Sequence, residues 1–421
     1  MQQFKYVIIG GGVAGTTAAE TLRSLDKEGS IAIIGDEKHD FYSRIALSKE
    51  NYMLKRKTEQ EVVWLKKPSF YAEKNIAYFK GVTATWLDPQ TKSITLSPGD
   101  MLIYDKLLLA VGGTPRTWNL PGSDKKGIYY LRTLDDAHAM MAEFETIKKG
   151  LLIGGGFITF ELCHIMINRG IKPTVMLREP YYWANLLDET SGRMIEDALK
   201  KGGTEILYEE EVTEVFGDAH ADGVKTTKGQ KIPTHFISVG IGIMDRLEPF
   251  RSSGIECKKG IITNQYMETN LPDVWAAGDC AEYFDIILNE RVQLGNWANA
   301  MMHGRIAAAN MANAAGVATA KKTEYKMLST YTTQGLGLAI CFVGDVRVTP
   351  EKEVIQRGSR ESGKFTRIIT LKNRVVGATQ LNTTPELPWI SKLITEQRDI
   401  SGIKEKLADP TVDLRALVME K

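Results

Sequence analysis

The sequence predicts an α/β chain: two units of the strand, glycine turn and helix kind, followed by an α+β C-terminal domain. Three observations carry this. An apolar run, Val7-Ile8-Ile9, reaches Gly10, Gly12 and Gly15 in G-x-G-x-x-G spacing, and a helical repeat follows it. The same theme returns at Leu151-Leu152-Ile153, with Gly154, Gly156 and, in the third place, Thr159. From Lys321 the composition shifts to alternating segments (Leu336 to Val343, Phe365 to Leu371, Val375 to Ala378), which point to an antiparallel sheet with helices after it.

In the first unit each small residue has a task. Gly10 allows a tight turn, Gly12 lets the backbone approach a pyrophosphate, and Gly15 lets helix pack on strand. Val13 and Ala14 open a helix whose N-terminus offers unpaired N–H groups and a positive dipole end to phosphates. The next strand, Ser30 to Ile34, leads to Asp36 and Glu37. An acid about 20 residues past the glycines accepts a ribose hydroxyl, and Glu37 is preferred for it. The alternative is a tight βαβ turn with no ligand. With strand, helix and acid all in place, a Rossmann-like dinucleotide site is expected.

Whole-chain properties narrow the class. The chain has 421 residues, which predicts two or three domains, with 43% hydrophobic and 25% charged residues, ordinary for a globular protein. A net charge of +1 gives no reason to expect nucleic acid or an anionic membrane as partner. Cys163, Cys257, Cys280 and Cys341 stand far apart, without metal-type spacing, so neither a disulfide framework nor a metal site is expected. Free thiols suit the cytoplasm. The first strand starts within a few residues of Met1, so no signal peptide is expected. No apolar stretch approaches ~18 residues, so no membrane span is expected.

The stretch Phe41-Tyr-Ser-Arg-Ile-Ala-Leu-Ser-Lys49 resembles the P-Y-x-R-P-x-L-S-K segment of flavoproteins with the glutathione reductase fold. The branch it is most similar to is the NADH-dependent rubredoxin and ferredoxin reductases. Tyr42, Arg44, Leu47, Ser48 and Lys49 match; Phe41 and Ile45 replace two prolines. The resemblance implies that Arg44 and Lys49 line the isoalloxazine ring of FAD, with Lys49 near flavin N5. A cation there favours the negative charge of a reduced flavin. Disulfide reductases of this fold carry redox cysteines in this segment, and their peroxidase and oxidase relatives carry one. No cysteine occurs from Met1 to Leu162, which argues against thiol redox chemistry at the flavin.

Further motifs extend the resemblance over essentially the whole chain. Val82 to Asp88 and Lys92 to Leu96 read as a hairpin, and the backbone near Ala84 would face the adenine. Tyr104 to Arg116 resembles Y-D-x-L-x-x-A-T-G-x-x-P-R, with Ala110, Gly112 and Arg116 in place and Val111 for threonine. Leu271 to Cys280 resembles V-x-A-x-G-D-C, which implies that Gly278 admits the FAD and Asp279 accepts from a ribityl hydroxyl. A helix beginning near Asn296 would aim its dipole at the flavin, with Trp297 at the flavin edge and His303 in place of a glutamine. His303 is read as a packing residue.

The second fingerprint resembles the G-G-G-F-I-G-x-E segment of the family's NAD domain, implying nicotinamide binding by Gly154, Gly156, Phe157 and Ile158. Glu161 would pair with Lys49, bridging two domains. Thr159 is larger than the usual glycine and is expected either to set helix and strand slightly further apart or to rotate the helix. Past the strand Pro173 to Leu177, Arg178 and Glu179 leave NADH and NADPH both open. His235 to Gly242 resembles the strand and turn that close the NAD domain, with Gly240 beside the nucleotide.

Residues 1–116 and 245–320 are therefore expected to form an FAD domain, 117–244 an NAD(P) domain, and 321–421 a C-terminal interface domain. The implied function is an FAD-dependent NAD(P)H reductase that feeds a small carrier such as rubredoxin or ferredoxin. The departures at Val111, Thr159 and Arg178 keep a second reading open: an FAD-binding subunit or redox-responsive interaction protein of a larger complex, with weak NAD(P)H turnover. A homodimer is also open.

Overall fold

The computed structural model describes residues 2–419. Its contacts divide the chain into two compact units. The first holds the residues up to Ser43, Glu59–Thr114 and Met244–Ser329; the second holds Arg44–Thr58, Pro115–Ile243 and the residues from Thr330 on. The elements that bear on function are β1 (Gln2–Ile9), α1 (Val13–Leu25), β2 (Ile31–Gly35), β3 (Lys149–Ile153), α2 (Phe157–Asn168), β4 (Lys172–Met176), α3 (Glu189–Lys201) and α4 (Trp297–Ala314).

In the first unit a seven-stranded sheet runs Ile76–Lys80, β2, β1, Met101–Leu109, Ser93–Leu96, Ala84–Asp88, with Val274–Ala276 also paired to Met101–Leu109. β1 is parallel to β2 and to Met101–Leu109, and the hairpin strands are antiparallel. A strand covered on both faces needs apolar residues at every position, and the alternation of side chains sorts them. Tyr6 and Ile8 enter one core with Ala18 and Leu22, while Val7 and Ile9 enter another with Leu87 and Ile94. α1 and α4 cross so closely that a Cβ at Gly304 would lie 2.2 Å from the Ala14 carbonyl oxygen.

The second unit repeats the parallel pattern: Glu205–Leu207, β4, β3, Ile237–Val239, Ile128–Tyr129. Residues 212–233 form a three-stranded antiparallel sheet, Val212–Phe216, Gly223–Thr226 and Lys231–Pro233. Turns at Gly217 and Gly229, both with positive φ, reverse the chain twice. The expected C-terminal sheet has five antiparallel strands, in the order Thr330–Gly335, Leu338–Gly344, Arg374–Leu381, Lys364–Leu371, Glu353–Ser359. Among the described residues no helix is long and apolar enough to cross a membrane.

Candidate functional site

α1 and α2 begin alike. Their N-caps are Gly12 and Gly156, neither of which supplies a side chain to the first turn, and neither first turn holds an acid. By contrast α3 is capped by the Asp188 carboxylate and α4 by the Asn296 amide oxygen. The open N–H groups of α1 and α2 are therefore left for another acceptor. A Cβ at Gly12 or Gly156 would meet nothing within 4 Å, so there is room beside each terminus. Gly10 (φ 115°) and Gly154 (φ 96°) make the turns; a Cβ would strike the carbonyl oxygen of Ala110 at 2.2 Å or of Gly240 at 2.4 Å. These turns have the form that a pyrophosphate cradle requires.

The two copies differ in one exchange. Gly15 approaches the Gly10 carbonyl so closely that a Cβ would lie 1.9 Å from its oxygen. Thr159, at the same place in α2, is buried, and its Oγ1 lies 3.3 Å from where a Cβ of Gly240 would stand. Gly240 holds the position that Ala110 holds in the first copy. The methyl lost at Gly240 makes room for the larger Thr159, so the glycine turn at Gly154 keeps its form.

Strand register aligns the acids. Ile9 pairs with Ile34, and Ile153 with Met176. Three residues beyond each strand residue lie Glu37 and Glu179, with Arg178 where Asp36 stands in the first copy. Glu37 accepts from the Tyr42 hydroxyl, and Asp36 pairs with Arg246 at 2.5 Å. Glu179 accepts from Arg178 Nε at 2.8 Å. Arg178 is otherwise exposed, with its side chain 66% accessible.

Around the first glycine turn the unit gathers more of the expected residues. Gly278 (φ 79°) packs between α1 and α4: a Cβ there would meet those of Ala14 and Ala300 at 3.3 and 3.6 Å. The Asp279 carboxylate lies over Gly295, and its carbonyl accepts from Gln293 Nε2 at 2.8 Å. Trp297 stacks on Phe41 with centroids 5.8 Å apart. Gly112 turns at φ 64°, and Ala84 is buried in the sheet core. His303, fully buried in α4, accepts the Gly278 N–H at Nδ1 (3.3 Å), and burial pulls its pKa down to about 3. It is packed, as expected, and it also braces the Gly278 turn, a link across 25 residues that no local pattern signals.

Arg44, Lys49 and Arg116 fall in the second unit. Arg44 donates to the Arg132 carbonyl at 2.8 Å, and the Arg116 N–H donates to the Gly242 carbonyl at 2.9 Å. Lys49 and Glu161 meet, Nζ to Oε1 at 2.6 Å, with both residues inside this one unit. Glu161 is buried and also accepts from the hydroxyls of Thr333 (2.7 Å), Tyr331 (3.2 Å) and Ser48. A buried carboxylate is tolerable when it is paired and hydrogen-bonded to this extent. Thr333 and Tyr331 come from the C-terminal sheet, so sequence reading missed them. The Phe157 ring packs tilted against that of Tyr331, with centroids 3.8 Å apart, while Ile158 is 36% exposed.

Burial raises the Cys163 thiol far up, that of Cys341 to about 12 and that of Cys280 to about 11. None of these three is a thiolate at neutral pH. Among the described residues no cluster of His, Cys, Asp or Glu is arranged for a metal.

Comparison with known proteins agrees with this geometry. The pyridine nucleotide-disulphide oxidoreductase profile matches residues 4–304, and a reductase C-terminal profile matches residues 336–418. The chain is 30% identical over 402 residues to a nitrite reductase [NAD(P)H] of Bacillus subtilis (strain 168), covering 95% of this chain but only 48% of that protein. It thus spans about half the length of that relative. It is 28% identical to the ferredoxin–NAD(+) reductase component of a biphenyl dioxygenase system from Paraburkholderia xenovorans (strain LB400), covering 98% of both. The putidaredoxin reductase chain of a covalent complex with putidaredoxin shares the fold, with TM-score 0.90 at 24% identity and all of both chains covered. Two uncapped glycine turns, a paired Lys49 and Glu161 and a matching profile lead to one conclusion: the chain belongs to the pyridine nucleotide-disulphide oxidoreductase family, whose cofactors are FAD and NAD(P)H.

Proposed function

We propose that the protein is an FAD-dependent NAD(P)H oxidoreductase that passes electrons from reduced nicotinamide through the flavin to a small carrier of the rubredoxin or ferredoxin kind. The observation that carries this is the pair of open, glycine-capped helix termini in one chain, accompanied by a sequence with no cysteine before Cys163. Bound FAD would supply the step from two-electron uptake to one-electron release. The chain supplies binding and electrostatics. α1, Glu37, Gly278 and Asp279 would hold the FAD. α2 and Glu179 would hold the nicotinamide nucleotide, and the register of Glu179 with Glu37 favours NADH. Lys49, oriented by Glu161, would stabilise negative charge at flavin N5. The full-length similarity to a ferredoxin–NAD(+) reductase component supports a carrier protein as acceptor. The buried free thiols support a cytoplasmic location.

A second reading has its own support. The chain spans 48% of a nitrite reductase, so the same fold serves there as part of a larger enzyme. In that reading the protein is the FAD-binding subunit of a complex. The two are separated by mixing the FAD-loaded protein with NADH and an oxidised rubredoxin or ferredoxin. Rapid, catalytic reduction of the free carrier supports the first. Negligible turnover by the isolated chain, restored by a co-purifying subunit, supports the second.

A further inference from the structure

We propose that Tyr182 is a positioning residue for the nicotinamide nucleotide, holding the Gly154–Gly156 turn in its binding form from outside the helix. This rests on the assignment of that turn to nicotinamide. Tyr182 is completely buried, and its hydroxyl donates to the Gly156 carbonyl at 2.7 Å. A buried tyrosine hydroxyl needs a partner, and here the partner is the backbone of the pyrophosphate turn. That carbonyl also accepts the Phe160 N–H at 3.1 Å, so the tie is made where the turn becomes α2.

The loop carrying Tyr182 is itself held. The Tyr182 N–H donates to Glu196 Oε1 at 2.9 Å; Glu196 is buried on α3, and its other oxygen accepts from Arg193 (2.9 Å) and the Tyr208 hydroxyl (2.7 Å). Further along, the Leu186 carbonyl accepts from the buried Arg367 at 2.9 Å. The loop also presses on the turn: a Cβ at Gly155 would lie 3.1 Å from the Trp183 nitrogen. In the first copy the turn is braced from within α1, by Thr16 Oγ1 on the Gly11 carbonyl (3.0 Å) and by the close approach of Gly15. Thr159 occupies that place in α2, and Tyr182 takes over the bracing. A turn fixed before binding lowers the ordering cost when the nucleotide arrives.

The test is Tyr182→Phe, which removes only the hydroxyl. FAD content should be unchanged. The Kd for whichever of NAD+ and NADP+ the wild type binds more tightly, measured by titration calorimetry, should rise about fivefold, as for one lost hydrogen bond. KM for the reduced nucleotide should rise in parallel, with kcat at saturation unchanged. Glu196→Gln, which loosens the same loop from α3, should move Kd in the same direction. A lowered melting temperature with unchanged Kd and KM would overturn the proposal and leave Tyr182 a purely structural residue. A wild type that binds neither nucleotide would overturn the nicotinamide assignment itself, and the proposal with it.

Discussion

Glu161 concentrates the chemistry of the second unit at one residue. Among the described residues Lys49 is its only cationic partner, and three hydroxyls share its lone pairs. Replacing Lys49 by methionine therefore does not strand the carboxylate. We expect Lys49→Met to cost about 1–2 kcal/mol in urea unfolding, below the ~3–5 kcal/mol of a fully abandoned buried charge. With Lys49 acting at flavin N5 as proposed, flavin reduction by NADH should slow by about tenfold or more in stopped flow. His303 gives a pH prediction. Its native pKa is depressed to about 3, so between pH 6.5 and 3 the unfolded state takes up a proton that the native state refuses. Stability then falls as pH falls through that window. His303→Gln should flatten the slope of unfolding free energy against pH between 6 and 4 by about one proton. An unchanged slope would show that His303 titrates normally.

At the scale of elements, the glycines of α1 separate folding from binding. Gly12 has extended backbone that alanine adopts freely, and open space around it. Gly12→Ala should leave the unfolding energy of the apoprotein within about 0.5 kcal/mol while weakening FAD retention, measured as flavin per chain. Gly15→Ala drives a Cβ into the Gly10 carbonyl, so the fold itself should lose about 1–3 kcal/mol. In the second copy, Gly240→Ala should be destabilising beside Thr159 and be relieved in the double variant with Thr159→Gly, a coupling that a double-mutant cycle measures. Both glycine units were legible in sequence because strand, turn and helix are local patterns. The exchange of Thr159 with Gly240 was not, since it joins residues 81 positions apart through sheet packing, and Thr159 alone pointed to a wider helix–strand gap or a rotated helix. The same holds for the third strand after Gly229, where Lys231-Ile-Pro233 is too short to show a period.

For the whole molecule, the residues proposed to hold FAD, Gly10 to Gly15, Gly278 and Asp279, were readable as motifs, and all lie in one contact unit. Lys49 and Arg44 were readable too, yet their segment groups with the second unit, because residues 44–58 pack on α2 and its neighbours. Thr333, Tyr331, Tyr182 and Arg367 were invisible in sequence: each acts through a contact with a distant stretch, and none belongs to a motif. The function proposed here needs both cradles to be filled in one chain and to communicate through electrons. The most direct test is stopped-flow mixing of the FAD-loaded protein with NADH and, separately, NADPH under anaerobic conditions. Rapid bleaching of the flavin band is expected with at least one of them, NADH the faster, with no thiolate-to-flavin charge-transfer band. A protein that holds FAD firmly and is bleached by neither nucleotide would contradict it.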